Sequence, residues 1–265
     1  MLANSNNELI DTLEQQERMS PRVASAMRCI DRALFVPSKK LANCRDKLDQ
    51  MFMTPGQGNA AYLDMPLPIG HSQTISAPHM HATALELLVD QLRPGANVLD
   101  VGSGSGYLTA VMGEMVGRQG RVLGVERHAE LAERSVASVE AAAPDLLRSG
   151  TVRLQAGNAL DPELLAEAGP FDAIHVGAAA PFSHMVQVLA DNLKPRGRMV
   201  VPVGNPLSDS QMLKLVEKSA DGVQLFERDL MPVRFVPLHG VPEKKQPAGA
   251  QAGARTPPSP APEEL

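Results

Sequence analysis

The sequence predicts an α/β fold: a mostly parallel sheet between two layers of helices, ending in an antiparallel hairpin. Three observations carry this expectation. Short apolar runs bounded by Gly or Pro alternate with helix-length segments between residues 97 and 204. A cluster of glycines, Gly102, Gly104 and Gly106, sits where the first of those runs gives way to a helix. After residue 204 the alternation stops, and two strand-like segments follow each other around Ala220-Asp221-Gly222.

Taken in order, residues 8–36 have helical spacing in two pieces, with Ser20-Pro21 as N-cap and first-turn pair for the second. Residues 38–62 are irregular and contain Pro55, Gly56 and Gly58. A helix is predicted from Pro78 to Leu92, with Met80, Ala84, Leu87 and Leu88 on one face and Pro94-Gly95 as its stop. Strands are predicted at 97–101, 121–125, 152–156, 171–177 and 198–204. Helices running to Val116, Ala142 and Leu193 are predicted between them. "QMLKLVEK" and "GVQLFERDLMPVRFVPL" are the C-terminal strands. Residues 241–265, rich in Pro and Ala and nearly free of large apolar side chains, cannot offset the entropy of ordering and are expected to form a disordered tail. The expected organisation is a 1–240 domain, with 1–96 as a helical cap on the substrate side, followed by that tail.

Composition narrows the function. A net charge of −5 gives no basic surplus for nucleic acid. Two cysteines, Cys29 and Cys44, make neither a disulfide framework nor a metal cluster, so no metal is expected and reduced thiols in the cytoplasm are. The first residues lack a basic stretch followed by an apolar core, and no apolar run reaches the roughly 18 residues of a membrane span.

"VLDVGSGSGYLTAVM" is the strongest chemical signal. Glycines at a strand-to-helix junction let a ligand approach the main chain at a helix start. The spacing is G-x-G-x-G, with Tyr107 where a dinucleotide fingerprint requires its last Gly, which argues against a nicotinamide oxidoreductase. Asp100, two residues before Gly102, would repel a pyrophosphate but pair with an ammonium. S-adenosylmethionine carries an ammonium and a sulfonium. Glu126, at the end of the next strand, can accept from both ribose hydroxyls, and Asn158, past the third, can reach the adenine edge.

Several blocks, "DRALFVP" (31–37), "AYLDMPLPIGHSQTISAPHMHATALELL" (61–88), "VLDVGSGSGYLTA" (98–110), "FDAIHVGAAAP" (171–181), "LKPRGRMVVPVG" (193–204) and "VRFVPL" (233–238), together resemble the protein-L-isoaspartate (D-aspartate) O-methyltransferase family over roughly residues 20–240. The glycine loop is common to many methyltransferases, whereas the Pro-Ile-Gly…Gln-Thr-Ile-Ser-Ala-Pro block is specific to this family. The resemblance implies a Rossmann-like, class I S-adenosylmethionine-dependent methyltransferase with a three-layer α/β/α sandwich. It implies S-adenosylmethionine as methyl donor and the free carboxylate of L-isoaspartyl residues, with D-aspartyl residues as a second class, in damaged peptides and proteins as acceptor. It carries the catalytic serine onto Ser76, where the hydroxyl orients the carboxylate and is not a covalent nucleophile. Donor contacts are implied at Gln73, Thr74, Ile75, Ser76, His81, Asp100, Gly102, Ser103, Gly104, Glu126, Arg127, Asn158 and Ala159. Substrate contacts are implied at Pro68, Ile69, Ser76, Val236 and Pro237, with "VRFVPL" and the segment before Gly70 as the peptide groove. A cytoplasmic monomer without nucleic-acid or membrane partners is expected.

Three departures from the family pattern stand out: Asn158 where the family more often has Asp, a longer 38–60 segment, and N-terminal helices that match only in pattern. His79, on the helix start, and His175, His184 and His239 are expected to be structural. The i,i+2 spacing of His79 and His81 on a helix argues against a metal pair, since the two side chains do not face one way. A small-metabolite methyltransferase on the same fold has no use for Gln73-Thr74-Ile75-Ser76. A non-catalytic adaptor would carry lesions at Ser76 or in the glycine loop, and both are intact.

Overall fold

The computed structural model describes residues 3–16, 19–37, 60–205 and 210–239. The expected tail and most of the 38–60 segment lie outside these residues. Helices α1 (Asn6–Gln15) and α2 (Pro21–Cys29) are followed by a 3-10 turn at Arg32–Phe35. A small hairpin of β1 (Leu67–Gly70) and β2 (Gln73–Ile75) leads into α3 (Pro78–Leu88). Then come β3 (Asn97–Val101), α4 (Tyr107–Val116), β4 (Arg121–Glu126), α5 (Ala129–Ala142), α6 (Pro144–Arg148), β5 (Val152–Ala156) and α7 (Pro162–Ala168). The chain continues through β6 (Phe171–Val176), α8 (Ser183–Asp191), β7 (Leu193–Val203), β8 (Gln211–Lys218) and β9 (Leu225–Val233).

The main sheet has the order β5-β4-β3-β6-β7-β8-β9. Strands β3 to β7 pair in parallel, and β8 and β9 add antiparallel. After β3 the chain winds outward through β4 and β5, then crosses back to β6 on the other side. The reversal opens a crevice at the carboxyl ends of β3 and β6, where ligands of open α/β sheets bind.

The two-residue period of the strands divides the core. On β3, Val98 packs with Leu9, Ile10, Met27, Leu85 and Val111 on one face, while Leu99 and Val101 pack with Leu165, Met185 and Leu189 on the other. The N-terminal helices therefore share the buried layer of α3 and α4. No described helix is long and apolar enough to cross a membrane.

Several sequence-based boundaries need correction. Helix α3 ends at Leu88, and its buried stripe runs through His81, Ala82, Ala84, Leu85 and Leu88, leaving Met80 and Leu87 half-buried. Ser20 stands at the N-cap of α2 without capping it: its backbone N–H donates to Glu86 Oε1 at 2.5 Å, and its buried hydroxyl has no partner among the described residues. Leu193 begins β7 and does not end α8. Residues 234–238 leave the sheet after β9 and lie instead against Ala179, with Ala179 N–H donating to Val236 O at 2.7 Å and Leu238 N–H to Ala179 O at 2.8 Å. The short helices α6 and α7, each opened by a proline, were not expected.

Candidate active site

The glycine loop follows from backbone geometry. Gly102 (φ 71°), Gly104 (φ 54°) and Gly106 (φ 83°) are all left-handed, a conformation that glycine adopts without strain. The N–H groups of Gly102 and Ser103 donate to Val125 O at 2.8 and 3.2 Å, which ties the loop to the end of β4. Gly104 N–H donates to Glu126 Oε2 at 2.9 Å, and His128 N–H donates to Oε1 of the same carboxylate at 2.9 Å. Glu126 is buried and lines the cavity, and a carboxylate with roughly four acceptor positions has capacity beyond these two bonds.

The hairpin of β1 and β2 forms the roof. Its turn residues His71 and Ser72 both have φ 55°. Two groups of α5 hold it: Arg134 donates to Ile69 O, and His71 Nε2 meets Glu130 Oε2 at 2.9 Å. Ile69 lies so close over the loop that a Cβ on Gly104 would meet its Cδ1 at 3.3 Å. The opposite wall is the 236–239 segment, positioned by Gln211, whose Oε1 accepts from Phe235 N–H at 2.6 Å while its Nε2 donates to Phe235 O at 3.1 Å.

One cavity results. Of the residues singled out from sequence, Ile69, Gln73, Thr74, Gly102, Gly104, Glu126, Arg127, Asn158, Ala159, Val236 and Pro237 line it. Pro68, Ile75, Ser76, His81, Asp100 and Ser103 do not line its wall. Val101, Val125, His128, Gly157, Gly177 and Ala178, which the sequence did not single out, also line it, as do Leu238 of "VRFVPL" and His239, which was expected to be structural. Gly177 and Ala178 follow β6 across the crevice, and only the sheet order reveals that they face Gly102.

Asp100, expected beside the ammonium of the donor, does not line the cavity wall. It shares a strand face with Val98, so its side chain points under α4 and away from the cavity. It is 1% exposed, accepts from Thr109 Oγ1 at 2.5 Å, and meets Nδ1 of His175, its register partner on β6, at 2.8 Å. Its carboxylate ties α4 to β6 beneath the sheet's carboxyl edge.

His81 also sits behind the wall. It lies on the buried stripe of α3, with Nδ1 3.4 Å from Arg32 Nη1 and its ring 5.1 Å from that of Tyr107. Burial, reinforced by the Arg32 charge, holds its pKa well below the ordinary histidine value, so the ring is neutral. Tyr107, in the position of the missing fingerprint glycine, has a buried hydroxyl with no hydrogen-bond partner among the described residues, and burial pushes its pKa up to about 12. Asn158 Oδ1 accepts from Leu160 N–H at 3.0 Å, which fixes the amide orientation and leaves its Nδ2 free to donate. Ser76 is half-buried just past β2, and among the described residues its Oγ makes no hydrogen bond. His79 is held by Asp64, with Nδ1 2.8 Å from Oδ1. No group of three or more metal-ligating side chains is found among the described residues.

Against known proteins, residues 38–243 match the model of the family described as protein-L-isoaspartate(D-aspartate) O-methyltransferase. The chain belongs to the protein-L-isoaspartate (D-aspartate) O-methyltransferase family. It is 46% identical to a protein-L-isoaspartate O-methyltransferase of Triticum aestivum over 88% of this chain and 90% of that protein. It is 43% identical to protein-L-isoaspartate O-methyltransferase 1 of Arabidopsis thaliana over 89% and 91%. The fold is similar to the crystal structure of a Plasmodium falciparum protein described as an enzyme of this family, in complex with S-adenosyl-L-homocysteine. The TM-score is 0.73 at 30% identity, covering 89% of this chain and 99% of that one. The isoaspartate methyltransferase match thus takes in both the glycine loop and the hairpin above it.

Proposed function

We propose that this chain transfers the methyl group of S-adenosylmethionine to the free carboxylate of L-isoaspartyl residues in damaged proteins, and of D-aspartyl residues as a second class. The observation that carries the reading is the joining of a left-handed glycine floor and a buried Glu126 carboxylate to the family's Gln73–Ser76 hairpin around one cavity.

The residues present fit the donor. Gly104 admits close approach where any Cβ would press on Ile69, and Glu126 keeps acceptor positions for a ribose diol. Asn158 and Ala159 stand at the end of β5, where the adenine edge is expected, and Gln73 and Thr74 cover the cavity from the roof. Asp100 contributes by joining Thr109 of α4 to His175 of β6. S-adenosylmethionine, when bound, supplies a methyl group on a positively charged sulfur.

The protein's own task is then alignment and exclusion of water. A carboxyl group of ordinary pKa near ~4 is already ionised at neutral pH, so no general base is needed. Ser76, with an unengaged hydroxyl beside the roof, is suited to donate to that carboxylate and orient it without neutralising it. Holding the reacting atoms in line contributes up to ~7–11 kcal/mol in favourable cases. Pro68, Ile69, Val236 and Pro237 would form the groove for an extended peptide, which suits an enzyme that must accept many sequences. The ester product is activated: the following backbone nitrogen displaces methanol, and hydrolysis of the succinimide returns part of the residue to normal aspartate. The reading includes a monomer in the cytoplasm with no nucleic-acid or membrane partner; the net charge of −5 gives no basic surplus for nucleic acid.

The test is transfer of labelled methyl to an isoaspartyl peptide and to its normal aspartyl twin. Base-labile label is expected in the first peptide only. Equal labelling of both, or label in neither, overturns the reading.

A further inference from the structure

Arg32 is fully buried, and among the described residues no carboxylate forms an ion pair with it. The nearby acids are otherwise engaged: Asp31 accepts from Tyr62 OH at 3.0 Å, and Asp64 holds His79. The guanidinium instead spreads its donors over backbone carbonyls. Nε donates to Ala61 O at 3.0 Å, Nη2 to Ser76 O at 2.8 Å and, at 3.5 Å, to Met65 O. Nη1 faces His81 Nδ1 at 3.4 Å, and the guanidinium carbon lies 5.6 Å from the centre of the Tyr107 ring.

A buried charge that makes no direct ion pair is a costly way to fill a core, and apolar side chains do that better. What an arginine adds is a rigid planar fork that fixes several acceptors relative to one another. Here the fork joins the Ser76 carbonyl to Tyr107, the first residue of α4 after the glycine loop. Burial lowers the arginine pKa to about 10, which keeps the group charged at neutral pH.

We propose that Arg32 is a positioning residue for the methyl transfer: by gripping the Ser76 carbonyl, it sets the Ser76 hydroxyl at its distance from the glycine loop. This deepens the function proposed above and rests on it. Donor binding relies on the cavity wall, to which Arg32 does not belong. Loss of the fork therefore acts on turnover and spares donor affinity. A displacement of about 1 Å in such a group costs up to ~100-fold in rate.

The test uses Arg32→Lys and Arg32→Met, each alone and combined with Ser76→Ala. S-adenosylhomocysteine affinity, kcat and peptide KM are measured, with amide hydrogen exchange at residues 73–77. In Arg32→Lys, kcat is expected to fall about 10- to 100-fold with S-adenosylhomocysteine affinity within about twofold of wild type and faster exchange at 73–77. In the Ser76→Ala background the same change is expected to cost little more, because its effect passes through Ser76. Three results overturn the proposal: unchanged kcat in Arg32→Lys, parallel loss of S-adenosylhomocysteine affinity and kcat, or full multiplication of the two single losses. Failure of the functional reading is separate, since it shows as wild-type protein that labels no isoaspartyl peptide. Unchanged exchange at 73–77 in Arg32→Lys then still refutes the anchoring role.

Discussion

Replacing Glu126 by Gln changes only one atom and the charge, but the surroundings make it costly. The carboxylate accepts from Gly104 N–H and His128 N–H, both at 2.9 Å. With about four acceptor positions, it keeps two for the ribose hydroxyls of the donor. A Gln side chain has one oxygen. Its NH2 group must face Gly104 N–H, His128 N–H or a ribose hydroxyl, none of which it can accept from. At least one hydrogen bond to a charged acceptor is lost, worth about 1.5–3 kcal/mol. At about 1.4 kcal/mol per decade, S-adenosylhomocysteine should bind about 10- to 150-fold more weakly. Titration calorimetry against S-adenosylhomocysteine measures this directly, with circular dichroism to confirm an intact fold. A folded Glu126→Gln variant that binds within twofold of wild type would refute the assignment of the carboxylate to the donor.

Two further outcomes are expected. Asp100→Ala leaves Thr109 Oγ and His175 without their acceptor, at about 1–3 kcal/mol for each group stranded, so the melting temperature should drop by several degrees along with donor affinity; a large affinity loss with unchanged melting would return that carboxylate to direct donor contact. His81 has a folded pKa far below its unfolded value near ~6.5, so below that pH only the unfolded chain takes up the proton and stability falls, by up to about 1.4 kcal/mol per pH unit; His81→Gln should flatten this slope between pH 6.5 and 5, and equal slopes in both proteins would contradict a buried neutral ring.

The strands were legible because their apolar runs end abruptly at Gly or Pro, and the cavity residues because they follow successive strand ends. Depth and sheet order were not legible. Asp100 reads as a strand-end acid aimed at a ligand until β6 is placed beside β3, which brings His175 to its side. His81 breaks the apolar pattern of α3 and shifts the face assigned from spacing, although it is buried, because Arg32 and Tyr107 offer it polar and aromatic company. Arg32 looks like an ordinary surface cation in sequence. Its one signal was its place in "DRALFVP", which says nothing about contact with a carbonyl 44 residues away. Helices α6 and α7 are too short to show a period, and the start of β7 is hidden because Leu193-Lys194-Pro195 reads as the end of a helix.

The far rim of the sheet has its own consequence. Among the described strands, β9 pairs only with β8. It carries Glu227, Arg228 and Asp229 exposed in succession and Pro232 near its end, with Lys214 of β8 holding Glu227 at 3.0 Å. An enzyme that handles aged, partly unravelled polypeptides spends its life among sticky chains. A bare apolar rim would recruit them into mixed aggregates, whereas charges of both signs and a residue unable to donate discourage that stacking. Stripping these charges should make the protein precipitate with its own clients.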